Sequence, residues 1–179
     1  MTIENRAPHG NVAPPKWLQP IPANIPSALQ AQPWAVWIAE PRPNKPGKFN
    51  KAPRCPTSNS KIGADKPGLF GTFDAACAAY ERGRFTGIGV LLTGNGIFGV
   101  DIDDVEVTYA SQPHVKTWVD SALGAGAYCE YSPSGTGLRL FMAGKLPGRG
   151  RKAGSLEIYD DARFLTVTGH VIRPELDGA

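Results

Sequence analysis

Apolar and polar positions along the chain follow two periods. The run 34-WAVWIA-39 is aromatic and β-branched and predicts a first strand. Strand-like runs return at 87–93 and 97–103, on either side of 94-GNG-96, and Asn-Gly there predicts a β-hairpin because it accepts the positive φ angles of a tight turn. Four further strands are predicted at 127–132, 138–143, 155–160 and 163–171. Helical features mark 73–82, capped by Thr72 and stopped by Gly83, and 112–123, where Pro113 suits a first turn. A short helix is expected over 26–32. The stretch 41–68 reads as a long loop, with basic residues at 42, 45, 48, 51, 54 and 61. Pro8, Pro14, Pro15, Pro20 and Pro22 make 1–24 a flexible lead-in, so the domain spans 25–173 and 174–179 forms a tail or linker. Strands interrupted by two or three helices predict an α+β domain, an antiparallel or mixed sheet with helices on one side.

Composition narrows this only modestly. The chain has 179 residues, 41% of them hydrophobic, which suits one domain with its own core. Its net charge of +3 is too small to argue for nucleic acid by itself. The placement of charge is more informative: Arg139, Lys145, Arg149, Arg151 and Lys152 form a basic stretch between acids at 101–106 and 157–161. Cys55, Cys77 and Cys129 are widely spaced without a CxxC pair, so neither a disulfide framework nor a zinc site is indicated. No segment has the roughly 18 consecutive apolar residues of a membrane span, and a cytoplasmic protein is expected.

The chemistry concentrates in 97-IFGVDIDDVEV-107. Alternation along a strand puts Asp101 and Asp103 on one face, with Val100 and Ile102 turned into the core and Asp104 on the other parity. The same rule pairs Glu157 with Tyr159 opposite Leu156 and Ile158. If these strands are neighbours, three carboxylates converge, and hard oxygen ligands suit Mg2+ or Mn2+. A competing reading is ordinary: acids at a strand exit are often solvated edge residues or helix caps. An EF-hand does not fit, because Glu106 stands where that loop requires glycine. Downstream, 132-SPSGTGLRLF-141 offers Ser132, Ser134, Gly135 and Gly137 for close backbone approach to an anion, and Arg139 as a bidentate phosphate partner. Arg163, Thr166, Thr168 and His170 follow in 163-RFLTVTGH-170. Acids and phosphate-facing groups thus alternate along the chain, as a nucleotidyl-transfer site requires.

With these motifs in this order, residues 32–172 resemble the archaeo-eukaryotic primase superfamily, and within it the primase-polymerase domains of phage and plasmid replication proteins. The resemblance rests on 99-GVDIDDV-105, 132-SPSGTGLRLF-141 and 156-LEIYDDARFLTVTGH-170. It implies an RNA-recognition-motif-like sheet packed with a small N-terminal α/β unit, and primer synthesis or DNA extension from dNTP or NTP. Asp101, Asp103 and Glu157 would be catalytic and hold two Mg2+ or Mn2+ ions. Ser132, Ser134, Gly135, Gly137, Arg139, Arg163, Thr168 and His170 would bind the nucleotide. Lys48, Lys51, Arg54, Arg149, Arg151 and Lys152 would contact a single-stranded DNA template. A replicative helicase, fused or separate, would be the partner, and no membrane is involved. Arg139 stands where the second motif usually has histidine; a guanidinium holds phosphate but does not titrate near pH 7. The family's frequent zinc-binding insert is absent. A metal-dependent nuclease and a non-catalytic DNA-binding replication domain are the competing functions, and a glycosyltransferase with a DxD motif fits less well without a nucleotide-binding βαβ opening.

Overall fold

A computed structural model describes residues 15–173; residues 1–14 of the predicted lead-in and the predicted tail 174–179 lie outside them. In chain order the elements are α1 (Ser27–Gln30), β1 (Trp34–Pro41), β2 (Phe49–Arg54), α2 (Phe73–Glu81), β3 (Gly87–Thr93) and β4 (Ile97–Ile102). Then come α3 (Val105–Ser111), α4 (Pro113–Gly124), β5 (Tyr128–Tyr131), β6 (Leu138–Ala143), β7 (Arg151–Ala153), β8 (Leu156–Tyr159) and β9 (Asp161–Val167). The α+β class is as expected, but the strands form two antiparallel sheets rather than one. The first has the order β2-β1-β3-β9 and the second β5-β6-β4-β8-β7.

The predicted hairpin at 94–96 does not form. β3 is flanked by β1 and β9 and β4 by β6 and β8, so neither has an edge free for the other. Gly94 and Gly96 take positive φ but Asn95 does not, so a turn needing both central residues there is not built. The glycines instead carry the chain from one sheet to the other, with Gly94 N–H donating to the Asp160 carbonyl at 2.7 Å.

Within the predicted loop 41–68 lies β2, an edge strand paired with β1 from Val36↔Arg54 to Pro41↔Phe49. Its lysine, arginine and proline disguised it, yet an edge strand tolerates all three. The basic stretch 145–152 likewise runs into β7, which turns back on β8 through Gly154 at φ +60°. The last predicted strand, 163–171, begins earlier and ends at Val167.

Two apolar clusters hold the sheets in place. Trp34, Val36, Ile88, Val90, Leu92, Leu165 and Val167 join Ala76 and Ala79 of α2 in the first. In the second, Val100, Ile102, Leu138 and Leu140 pack with Val115, Val119 and Leu123 of α4. The opposite parity of the second sheet meets the first sheet: Phe141 belongs to the first cluster, and a Cβ added to Gly99 would stand 2.5 Å from Leu165 Cδ1. The face that carries Gly99 and Phe141 therefore looks at β9, and two residues further along those strands come Asp101 and Arg139. Among the described residues no helix is long and apolar enough to cross a membrane.

Leu140 is fully buried, opposite Val100 on one side and Cys129 on the other. Leu140→Ala is expected to lower the unfolding free energy by about 2–5 kcal/mol through lost burial and a residual cavity, read from urea denaturation.

Candidate active site

The registers of the second sheet align one charged residue from each strand. Glu130 pairs with Arg139, Arg139 with Asp101, Asp101 with Glu157 and Glu157 with Lys152, across β5, β6, β4, β8 and β7. The prediction that the acidic strands are neighbours therefore holds for Asp101 and Glu157. Arg139 is only 5% exposed. Its Nε lies 3.2 Å from Asp101 Oδ1, and its Nη1 donates to the carbonyl and hydroxyl oxygens of Thr166 on β9, the former at 2.8 Å. Glu157 is held by Lys152 on one oxygen and by Arg163 on the other, and the Arg163 guanidinium lies 4.2 Å from the centre of the Tyr159 ring.

Strand alternation ends sooner than the sequence implied, because β4 stops at Ile102. Asp103 is fixed by its N–H donating to the Ser155 carbonyl at 2.9 Å and by its own carbonyl accepting from Thr108 Oγ1 at 2.9 Å. Asp104 precedes α3 with φ 45° and ψ 61°. Its predicted separation from its neighbours fails: Asp101, Asp103 and Asp104 all line one cavity. A side chain beyond the strand follows the turn, not the pleat. Partial desolvation raises the Asp103 pKa, and the charge of Asp101 adds to the rise.

That cavity, of about 560 Å³, lies between the sheets. β2 contributes Phe49 and Lys51, β9 contributes Arg163 to Thr166, and the second sheet contributes Asp101, Arg139, Lys152 and Glu157. Ser134 and Thr136 line it from the β5–β6 loop, and Arg42, Lys45 and Lys48 from the β1–β2 connection. Burial, reinforced by the Arg139 charge, lowers the Lys51 pKa to about 8. Of the predicted nucleotide ligands, Ser134, Arg139 and Arg163 reach this cavity. Ser132, Gly135, Gly137, Thr168 and His170 do not line it. Ser132 Oγ accepts from Gly137 N–H, Thr168 donates to the Tyr131 carbonyl at 2.7 Å, and His170 Nε2 lies 2.8 Å from the Gln19 carbonyl. Gly137 answers a different need from the one predicted: an added Cβ would stand 2.5 Å from the Ile102 carbonyl, so the loop seats directly on the end of β4. Of the predicted DNA contacts, Lys48, Lys51 and Lys152 line the cavity, Arg54 pairs with Glu40 at 3.0 Å, and Arg149 and Arg151 are exposed outside it.

Glu130 escaped the sequence reading. It is fully buried and accepts hydrogen bonds from Tyr128 Oη, Thr168 N–H and Gly169 N–H. Burial pushes its pKa up, and those bonds, together with the Arg139 charge, oppose the rise. Only its alignment opposite Arg139 reveals it, and alignment requires the register.

The donor set suits a divalent cation in kind: carboxylate oxygens, one of which, Asp101 Oδ1, is buried with no hydrogen bond and only the ion pair to Arg139 Nε at 3.2 Å. Among the described residues no group of three or more His, Cys, Asp or Glu side chains is gathered as a ready cage. Glu157 lies directly opposite Asp101, with its oxygens paired to Lys152 and Arg163, so it would take a cation by exchanging one of those partners.

Comparison with known proteins places this geometry in context. The chain is 31% identical over 147 residues to a protein named DNA Primase-polymerase from Nitratiruptor phage NrS-1. The match covers 77% of this chain and 19% of the phage protein, so the chain spans about a fifth of that relative's length. No family model matches the chain.

Asp101→Asn should lower the Asp103 pKa toward its ordinary value of 3.8, since a negative neighbour is removed. Carbon-detected NMR titration reads this directly, and an unchanged or raised value would contradict the electrostatic coupling.

Proposed function

The chain is thus related over most of its length to a phage DNA primase-polymerase, as a primase-polymerase domain would be, and from that premise we propose template-dependent nucleotidyl transfer at the cavity between the two sheets. The supporting observation is the alignment of Asp101 between Arg139 and Glu157, facing a cavity also lined by Lys45, Lys48 and Lys51. Carboxylates beside so many cations suit a polyphosphate substrate better than a bare phosphodiester, which favours synthesis over nuclease activity. The substrates are dNTP or NTP on a single-stranded DNA template, and the biological setting is replication of a phage or plasmid with a helicase, fused or separate. We read the second sheet as the RNA-recognition-motif-like half: β4, β5, β6 and β8 taken as strands one to four lie in the order 2-3-1-4. In this reading β7 replaces the second helical crossover.

Asp101, Asp103 and Glu157 are the residues that would hold Mg2+ or Mn2+. When bound, such ions lower the pKa of a primer 3′-hydroxyl and neutralise charge on the triphosphate. The protein's own groups supply position. Arg139 restrains Asp101 against Thr166, so the carboxylate is oriented before substrate arrives. Arg163 and Lys51 place positive charge where phosphate oxygens gain charge during transfer. Ser134 and Thr136 offer hydroxyl donors along the same wall.

Asp101→Ala and Asp103→Ala should each abolish incorporation of labelled nucleotide on a primed single strand while DNA retention by gel shift persists. Degradation without incorporation in the native chain would favour the nuclease reading instead. Template binding should weaken steeply with salt. Lys48→Ala and Arg151→Ala, both exposed, should each reduce the slope of log K against log salt by about 1.

A further inference from the structure

The irregular segment 15–21 was expected to be part of a flexible lead-in, yet it is anchored on both sheets. Leu18 N–H donates to the Pro133 carbonyl at 2.9 Å and Ile21 N–H to the Thr168 carbonyl at 2.8 Å. The Tyr80 hydroxyl donates to the Gln19 side chain, and His170 reaches the Gln19 carbonyl. At Gly169, with φ +72°, an added Cβ would stand 2.3 Å from the Ile21 carbonyl, so the two backbones meet with no room for a side chain. Backbone groups satisfied in this way make the segment a wall rather than a tether.

That wall delivers Trp17 to the cavity. Trp37 and Phe49 each meet the indole edge-on, with centroids 5.5 Å away and interplanar angles of 85° and 89°, so its orientation is braced from two sides. Lys51 Nζ stands 5.7 Å from the ring centre. One cavity thus combines a braced aromatic surface with carboxylates, guanidiniums and ammoniums. A metal ion or a bare phosphate has no use for an indole, whereas a planar heterocycle joined to a polyphosphate uses both kinds of wall.

Building on the proposed nucleotidyl transfer, we infer that Trp17 is the stacking platform for the base of the incoming nucleoside triphosphate, with Lys51 following the phosphates. The ring face now under the ammonium is the one the base takes. Every base presents a π surface, so the platform accepts all four and leaves the choice to the template.

The test is equilibrium binding of dATP, dCTP and inorganic tripolyphosphate to the whole chain with Mg2+, comparing wild type with W17L and W17F. W17L should weaken both nucleotides about tenfold, at the lower end of stacking contributions, and leave tripolyphosphate within about twofold; W17F should recover most of the loss. Saturating wild type with nucleotide should also quench indole fluorescence, a change absent in W17F and not produced by tripolyphosphate, and this readout stands even if W17L does not fold. Equal losses for nucleotide and tripolyphosphate, no loss for either, or a quench that persists in W17F would each overturn the stacking role while leaving the nucleotide site intact. A wild-type chain that binds no nucleoside triphosphate would overturn the transfer reading itself, and the stacking role with it.

Discussion

The arrangement depends on a buried guanidinium. Arg139 lies in the interior of the second sheet, and a charge there is tolerable only when it is paired and hydrogen-bonded. Asp101 on β4 provides the counter-charge, Glu130 stands opposite on β5, and Thr166 on β9 accepts two hydrogen bonds. Since β9 belongs to the other sheet, these bonds also join the two sheets across the cavity. Shortening Arg139 would leave two acids without their cation and remove that link, so positioning and stability are coupled through one side chain.

The apolar rows explain why the charges meet at this place. On the second sheet, Gly99 and Phe141 face the first sheet, and Gly99 lets Leu165 come close. The charged row begins two residues further along the same strands, where the sheets no longer close upon each other and the cavity opens. Dry packing therefore passes directly into an electrostatic site. Glu157, neutralised by Lys152 and Arg163, and Asp103, raised by desolvation and by Asp101, show the site balancing its own charge.

Several parts were legible from residue type and spacing. The run from Ile97 to Ile102 is apolar except for Asp101, which marked that carboxylate as purposeful, and Glu157 followed from the same alternation. The edge strand β2 was hidden because an edge needs no apolar alternation, and its lysine, arginine and proline imitate a loop. Asp104 was misplaced because the pleat ended two residues before it. Trp17 carried no local signal: it sits with Leu18 among prolines, lysine and glutamine without strand or helix periodicity, and its partners Trp37 and Phe49 are distant in the chain.

By itself the sequence determined the strands with apolar alternation, β1, β3, β4, β5, β6, β8 and β9, and the projection of Asp101 and Glu157 from two of them, because these depend on period and residue type within a few positions. Tertiary structure alone decided that β3 and β4 part into separate sheets, that Glu130 joins the row beside Arg139, and that the segment before α1 closes one side of the cavity. Those outcomes depend on which edges are already occupied and which charges need a partner, and both are set by residues far apart in the chain.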